Sequence, residues 1–327
     1  SVEVRRVPPA AVQTAEWGVQ STWQWRGWPC HWRVSGPEAG PALLLLHGFG
    51  AASGHWRHCA PRLADQGWRV YSLDLLGFGQ SAQPARPMDN RLWALQVCAF
   101  LDQVVQGPAV VIGNSLGGLT ALTAAVLAPK RVRAVVAAPL PDPALIQPLP
   151  KRRAPWRRRW QRRLLALVLH VLPLELVVPL IARTGLLKAG LQGAYWQSIQ
   201  SDPELLQLIA RPARRPTAAR ALRGMSLGMA NRPRGATAPA LLEQLRVPML
   251  LIWGRQDRFV PLAIGESVAA SHPELELRVL DRCGHCPHDE APDRFLAVLL
   301  PWLDRNLGGP DRQGTTSGDE THPFGGG

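Results

Sequence analysis

Short apolar runs recur along the chain, separated by stretches with helical spacing of apolar positions. Six of these runs are apolar on both faces, as the central strands of a parallel sheet are. We predict strands at "ALLLLHG" (42–48), "RVYSLD" (69–74), "AVVIGN" (109–114), "VRAVVAA" (132–138), "VPMLLIWG" (247–254) and "LELRVL" (275–280).

Helical patterns fill the gaps between these strands, near residues 53–66, 90–106, 116–128, 262–271 and 291–304. Such alternation is typical of a doubly wound α/β fold, a mostly parallel twisted sheet with helices on both faces. Before Ala42, Trp23 and Trp25 alternate as on one face of a strand. We therefore expect a leading antiparallel hairpin whose tryptophans belong to the core.

The alternation fails between about residues 140 and 245, a region rich in Pro, Arg and Leu with no strong strand. We interpret this region as an inserted set of helices that forms a lid over the C-terminal edge of the sheet. The predicted organisation is a first core part with the Trp-rich hairpin (1–140), a lid (141–245), a second core part (246–307) and a disordered Gly-rich tail (308–327).

Composition narrows the class of protein. The chain has 327 residues, 46% of them apolar, which suffices for a full core. Its five cysteines are few and odd in number, which favours a reducing compartment over a disulfide framework. Residues 1–13 lack the apolar core of a signal peptide. We expect a cytoplasmic protein that is not secreted.

The net charge of +13 is concentrated in one segment. "KRRAPWRRRWQRR" (151–163) has eight basic residues and no acidic ones. Such a patch can meet nucleic acid, an anionic membrane or only solvent. Because no nucleic-acid-binding motif is present and Pro155 interrupts the run, we do not expect a nucleic-acid partner.

The longest apolar run follows directly, "LLALVLHVLPLELVVPLIA" (164–182). Its length is near that of a membrane-spanning helix, but His170, Glu175 and two prolines favour buried or interfacial helices. A basic run followed by an apolar one is typical of a segment that lies on an anionic bilayer. We predict peripheral membrane contact through residues 151–182.

The stretch "VVIGNSLGGLT" (110–120) contains a G-x-S-x-G pattern between a predicted strand and a predicted helix. In that context the pattern indicates a sharp turn that exposes a nucleophilic serine, here Ser115. The backbone N–H of Leu116 would then face an oxyanion on the attacked carbon. The alternative is a plain turn capped by serine.

A second oxyanion donor is expected from "HGFG" (47–50), which directly follows a strand. Its glycines allow the backbone to approach a substrate closely, and we predict that the N–H of Phe49 is the donor. An ordinary Gly-rich turn is the alternative.

A serine nucleophile needs a base, and the base needs an orienting carboxylate. Asp257 follows one predicted strand and His285 follows the next, so both should lie with Ser115 at the C-terminal edge of the sheet. We predict Asp257 as the acid and His285 as the base. Asp257 could instead cap the helix near Pro261, and Asp142 is the fallback acid.

"CGHCPH" (283–288) also offers metal ligands: Cys283, His285, Cys286 and His288. Four ligands within six residues lack the separated pairs of structural zinc sites, so we predict no metal and no cofactor. We assign packing roles to His55, His58 and Cys59. "DLLGFGQSAQP" (74–84) is predicted to be a surface loop in which Asp74 and Ser81 act only as caps.

Together these motifs resemble the α/β-hydrolase superfamily, over about residues 20–140 and 246–307. Within it, "GHCPHDEAP" (284–292), "WGRQD" (253–257), "SDPELL" (201–206) and "WQWRG" (23–27) resemble pheophytinase and its cyanobacterial relatives. The resemblance implies hydrolysis of the phytyl ester of a pheophytin- or chlorophyll-type pigment. It also implies Ser115 as nucleophile, His285 as base and Asp257 as acid, and a location beside a thylakoid membrane. The arginine run in the lid departs from the family pattern.

Other functions remain open at this stage. The main enzymatic alternative is a C–C bond hydrolase acting on vinylogous diketones, a group that also has a serine elbow and a helical lid. A general lipid or aryl esterase is another. The serine argues against epoxide hydrolase and dehalogenase chemistry, which needs a carboxylate at that position. A non-enzymatic alternative is a tetrapyrrole- or isoprenoid-binding protein on the same scaffold.

Overall fold

A central sheet organises the molecule in a computed structural model that describes residues 15–146, 155–183 and 185–307. Its eight strands run in the order β1-β2-β4-β3-β5-β6-β7-β8. β1 and β2 form an antiparallel hairpin, β2 pairs antiparallel with β4, and all other pairs are parallel. The strands are β1 Val19–Trp25, β2 Trp28–Ser35, β3 Ala42–Leu46, β4 Arg69–Leu73, β5 Ala109–Gly113, β6 Val132–Ala137, β7 Met249–Gly254 and β8 Glu276–Leu280.

Helices cover both faces of this sheet, which confirms the predicted α/β fold. They are α1 Ala60–Asp65, α2 Asn90–Phe100, α3 Leu116–Leu127, α4 Pro143–Ile146, α5 Pro155–Val171, α6 Leu174–Ala182, α7 Gly185–Gly193, α8 Pro203–Ala213, α9 Ala218–Ala230, α10 Ala238–Gln244, α11 Leu262–Ser271, α12 Pro287–Glu290 and α13 Pro292–Leu307. The predicted helix at 53–66 is divided into a 3-10 helix, Ser53–Trp56, and α1.

Alternate residues of the central strands enter two separate cores. In β3, Leu44 and Leu46 pack on the side of α2 and α3, whereas Leu43 and Leu45 pack on the side of α1 and α13. Both sets are fully buried. This is why the central strands are apolar at every position, since successive side chains point to opposite faces.

The region between β6 and β7 contains the helices α4–α10. Most of them lie outside the two main cores, but α10 packs on α3 and buries Ala238, Leu241 and Leu242 in the α2–α3 core. The last part of the predicted 141–245 insertion is therefore core structure. The predicted tail at 308–327 lies outside the described residues, as do residues 151–154 of the basic run.

The segment at 74–84 is a correction to the sequence prediction, because most of it is buried. Leu75, Leu76 and Phe78 belong to the α2–α3 core, and apolar residues of that size favour burial over solvent. Asp74 is also buried, and its carboxylate accepts hydrogen bonds from His31 Nδ1 (2.8 Å) and from the N–H groups of Ser53 (2.6 Å) and Gln80 (2.9 Å).

Asp74 therefore joins the hairpin, the 3-10 helix and the loop after β4, a larger role than the cap predicted for it. Burial alone would raise its pKa, but the hydrogen bond and the charge of His31 outweigh burial and lower the pKa to about 2. Ser81 also holds the loop after β4 in place, since its hydroxyl donates to the backbone carbonyl oxygen of Asp74 (2.6 Å).

We predict that Asp74→Asn lowers the free energy of unfolding by about 2 kcal/mol or more near neutral pH. A carboxylate whose pKa is depressed on folding stabilises above its unfolded pKa, near 4, and this contribution is lost as pH falls toward 2. The difference between wild type and variant in urea unfolding should thus be constant at pH 5–7 and narrow at pH 4 and 3. Asp65→Asn, at an exposed position, is the control and should change little. A difference that does not vary with pH would contradict the assignment.

Candidate active site

Ser115 lies at the turn from β5 into α3, with a backbone φ of 53° and ψ of −114°. A non-glycine residue in this region is strained, and the surroundings must enforce it. A β-carbon on Gly113 would lie 2.0 Å from the carbonyl carbon of Gly117, and one on Gly117 would lie 2.4 Å from the oxygen of Leu46. Only glycine fits at both positions, which explains the spacing of the motif around the serine.

His285 and Asp257 meet at the same edge of the sheet. His285 Nδ1 is 2.9 Å from Asp257 Oδ2, and both side chains are almost entirely shielded from solvent. The other carboxylate oxygen, Oδ1, accepts the N–H groups of Phe259 (2.9 Å) and Val260 (3.0 Å). The carboxylate is thereby fixed, and it can hold the imidazole with Nε2 free to accept a proton.

Asn114 joins the turn around Ser115 (the serine turn, residues 113–117) to the loop that carries His285 (the histidine loop, residues 281–286). Its side-chain Nδ2 donates to the carbonyl oxygens of Ala138 (2.7 Å) and His285 (3.0 Å). Ser115 and His285 both line one cavity. The structure thus brings the predicted Ser115, Asp257 and His285 to one place, while their catalytic roles remain predictions. The sequence analysis missed Asn114, because it treated the residue before the serine as a spacer.

The loop after β3 lies directly against the serine turn. A β-carbon on Gly48 would be 2.7 Å from Asn114 Oδ1 and 3.5 Å from Ser115 Cβ. The next residue is Phe49, whose ring lines the cavity and packs on Phe78. On the other side of the serine, Leu116 is the first residue of α3, so its backbone N–H has no acceptor within the helix. Leu116 directly follows Ser115, and Phe49 lines the same cavity as the serine, while their roles as oxyanion donors remain predictions.

His47 stabilises this loop. Its Nε2 accepts the N–H of Leu75 (3.0 Å), so its Nδ1–H donates to the carbonyl oxygen of Gly48 (2.8 Å). Burial lowers the pKa of His47, which agrees with a neutral ring that accepts one hydrogen bond and donates the other.

A cavity of about 550 Å³ opens beside Ser115. Its polar lining is limited to His55, Gln83, Asn114, Ser115, His285 and Cys286, and no Asp, Glu, Lys or Arg lines it among the described residues. Helices α6–α9 supply much of the apolar wall, including Val178, Leu187, Leu191, Ile209, Leu222 and Met225. The inserted helices therefore cover the site with an apolar, uncharged surface.

The insertion also supports the histidine loop. The backbone N–H of His285 donates to the carbonyl oxygen of Ala194 (2.8 Å), and Cys286 packs in a small core with Tyr195. The hydroxyl of Tyr195 is 2.7 Å from His55 Nε2 and donates to Asp289 Oδ2 (2.7 Å). His55 therefore has a hydrogen-bonding role beyond the packing assigned from sequence.

Arg57 extends this support with ion pairs. Its guanidinium bonds Asp289 in α12 (2.9 Å) and, from the insertion, Asp202 (2.7 Å) and Glu204 (2.9 Å). Burial would raise the pKa of Asp289, but the charges of His55 and Arg57 hold it well below its ordinary value. These contacts link residues far apart in the chain, so the sequence analysis missed them.

The structure also places the alternative acid, Asp142, and the candidate metal ligands of residues 283–288. Asp142 is buried against Arg232 (3.0 Å) and accepts the N–H of Ala238 (2.9 Å), so it holds the insertion rather than the imidazole. Cys283 and Cys286 are buried, and burial raises the pKa of both thiols. In the part of the chain that the structure describes, no group of three or more His, Cys, Asp or Glu side chains is arranged to hold a metal ion.

Residues 41–292 match the α/β-hydrolase fold family. This chain belongs to the α/β-hydrolase family. A 2-hydroxy-6-oxo-6-phenylhexa-2,4-dienoate hydrolase of Burkholderia cepacia is 31% identical over 281 residues, which cover 81% of this chain and 88% of that protein. The magnesium-chelatase 30 kDa subunit of Rhodobacter capsulatus is 30% identical over 307 residues, covering 84% of this chain and 92% of that one.

Solved structures share the same hydrolase fold. A bacterial membrane phospholipase A superposes with a TM-score of 0.66 at 24% identity, covering 88% of this chain and 86% of its own. At that identity the likeness shows the fold alone. No family member with a pheophytinase name is among these relatives, so the pigment substrate inferred from the sequence stays a hypothesis.

We predict that Ser115→Ala and His285→Ala each lower kcat for p-nitrophenyl butyrate by roughly 10⁴-fold or more, and that the double variant loses little beyond either single one. When residues act as one unit in acyl transfer, the effects of substituting them are not additive. A fluorophosphonate probe should label wild type and leave Ser115→Ala unlabelled. Additive losses in the double variant would contradict the arrangement.

We predict that Asn114→Ala lowers kcat for the same ester by tenfold or more, because the carbonyl of His285 loses its donor and the histidine loop is less well positioned. The matched control is Asn90→Ala, a buried asparagine that bonds Thr123 Oγ1 and the Ala236 oxygen away from the site. Both variants should lose about 1–3 kcal/mol of unfolding free energy and unfold at a lower temperature. Only Asn114→Ala should lower kcat. Equal losses of kcat in the two variants would indicate that Asn114 has only a structural role.

Proposed function

We propose that this chain is a serine hydrolase that cleaves a neutral, lipophilic carboxylic ester. The observation that carries the proposal is the combination of a strained Ser115 and an Asp257-held His285 beside an apolar, uncharged cavity. A long isoprenoid ester is the favoured substrate class, with the phytyl ester of a pheophytin- or chlorophyll-type pigment as the candidate. The relatives support hydrolase chemistry in general, and the sequence resemblance supports the pigment.

In the proposed reaction the oxygen of Ser115 attacks the ester carbonyl carbon while its proton passes to Nε2 of His285. Asp257 keeps the ring oriented and stabilises the imidazolium. The N–H groups of Phe49 and Leu116 bind the oxyanion. As the carbon–oxygen bond breaks, His285 returns the proton to the leaving alcohol. Water then attacks the acyl-enzyme in the same way and releases the acid. This sequence requires no metal ion or cofactor.

The lining of the cavity favours a neutral ester over a dienoate. The hydrolase of B. cepacia is named for a substrate with a carboxylate, which needs a cation or several donors when it leaves water. No Lys or Arg lines this cavity among the described residues. A carbon–carbon bond hydrolase of anionic substrates is therefore the weaker candidate, even though such proteins are related to this chain.

A second candidate is ligand binding without turnover. It is favoured by one relative, the R. capsulatus protein, which is named as a subunit of a magnesium chelatase and not as a hydrolase. The apolar cavity would then hold a tetrapyrrole or isoprenoid. Against this candidate, a scaffold used only for binding has no need of a fixed Asp257–His285 pair beside a strained serine.

The test compares three substrate classes in detergent solution. We expect release of alcohol from pheophytin or chlorophyll and from p-nitrophenyl esters, with kcat/KM rising as the apolar chain lengthens. For 2-hydroxy-6-oxo-6-phenylhexa-2,4-dienoate we expect a value roughly 100-fold or more below the best ester, because a buried carboxylate would lack a partner. Phytol release is measured by chromatography.

Three outcomes would contradict the proposal. Preferred turnover of the dienoate would indicate a carbon–carbon bond hydrolase. Ester turnover confined to short, polar acyl groups would exclude a lipophilic substrate. Tight binding of pigment with no fluorophosphonate labelling of Ser115 would favour the binding protein.

A further inference from the structure

Helix α5 exposes a continuous apolar stripe to solvent. The stripe consists of Trp156, Trp160, Leu164, Leu167 and Val171, at spacings of four, four, three and four residues. That spacing places them on one side of a helix, which a protein normally buries. Here the five side chains are 58–72% exposed, whereas Leu169 on the opposite side is buried at 8%. None of the residues that the structure describes covers this stripe.

Arginines border the stripe on both sides. At about 100° per residue, Arg157 and Arg163 lie roughly 60° to either side of its centre line, and Arg158 and Arg162 lie on the far side of the helix. All four are exposed, and α5 has no acidic residue. An apolar stripe with tryptophans and flanking cations matches a bilayer interface, where indole rings and cation–headgroup contacts are both favoured.

The exposed apolar surface continues into the next two helices. Leu176, Leu180 and Leu186 are 73%, 63% and 67% exposed. The same helices turn Val178 and Leu187 toward the catalytic cavity. Helices α6 and α7 thus each have one face toward the cavity and another toward solvent. Apolar surface of this extent on one region of a protein indicates a binding partner.

The turn between α5 and α6 is fixed to the rest of the insertion. Arg223 of α9 donates to the carbonyl oxygens of Leu169 (2.7 Å) and Leu172 (2.7 Å) and also pairs with Glu175. Within the described residues no helix is by itself long and apolar enough to cross a bilayer, although α5 and α6 together are, with a bend of 67°. Because α6 also walls the cavity, the geometry fits contact along the membrane surface.

We propose that the α5 stripe, with α6 and α7, docks on an anionic lipid bilayer. The stripe enters the acyl region, and Arg157 and Arg163 contact lipid phosphates. A lipophilic ester dissolved in the bilayer then reaches the cavity through the layer formed by α6 and α7. The delivery of substrate rests on the proposed function, whereas the docking does not.

The first test is a flotation assay with the full chain. One set of vesicles contains phosphatidylcholine alone, and the other contains phosphatidylcholine with about one phosphatidylglycerol in three lipids. We expect binding to the anionic vesicles, weaker binding at 0.5 M NaCl, and little binding to neutral ones. Arg157→Glu with Arg163→Glu should weaken binding roughly 25-fold or more, since each basic residue at an anionic surface is worth a factor of about five. Arg158→Glu with Arg162→Glu changes the charge equally on the far side of α5 and should weaken binding much less.

Equal losses in the two charge-reversed pairs would overturn the oriented docking, because they would indicate only general charge attraction. Trp156→Ala with Trp160→Ala should also reduce vesicle binding while leaving the unfolding temperature unchanged, since both rings are exposed. If the wild type fails to float and instead forms a dimer that this tryptophan pair abolishes, the stripe is a contact between two copies and the membrane proposal is wrong.

A last comparison separates docking from catalysis. Ser115→Ala should float like wild type. The Arg157→Glu, Arg163→Glu variant should hydrolyse soluble p-nitrophenyl butyrate at the wild-type rate but lose at least tenfold on a long-chain ester held in anionic vesicles. Flotation without any esterase activity would contradict the proposed function but would still support docking on the membrane. Full activity of the variant on the vesicle substrate would overturn the delivery of substrate from the membrane.

Discussion

The steric constraint at the serine turn governs the rest of the site. Gly113 and Gly117 have no space for a β-carbon because the backbone of the turn and of the neighbouring strand β3 comes too close. That closeness holds Ser115 in its positive-φ conformation and brings the 47–50 loop against it. Backbone packing therefore places Gly48 of this loop against the serine turn, one residue before the predicted donor Phe49.

The other half depends on contacts from the inserted helices. The backbone of His285 is bonded on one side to Asn114 and on the other to Ala194 of the insertion. Arg57 and Tyr195 tie the same region together through Asp289. The insertion thus has two physical roles: it forms the apolar wall of the cavity, and it fixes the loop that presents the imidazole. A lid that only opened and closed would need neither the Ala194 contact nor the ion pairs of Arg57 with Asp202 and Glu204.

The sequence predicts the sheet well because its central strands are apolar on both faces and are followed by residues with recognisable chemistry. Ser115, Asp257 and His285 could be proposed from their places after strands, and the structure brings them together. The segment after Asp74 was misjudged, since its glycines suggested a surface turn while Leu75, Leu76 and Phe78 pack inside. The Ala194 carbonyl could not have been found, because a backbone acceptor leaves no signature in the residue type.

The bond between Ala194 and the histidine loop divides the insertion into two unequal parts. From Ala194 onward, Tyr195, Asp202 and Glu204 bond the chain to the region beside the candidate site. Before it, α5–α7 contribute mainly apolar wall and outer surface. Exchange of residues 155–191 should therefore change the apolar wall of the cavity while the later segment keeps its bonds to the loop that carries His285. The natural splice point for a chimaera with altered selectivity is just ahead of Ala194.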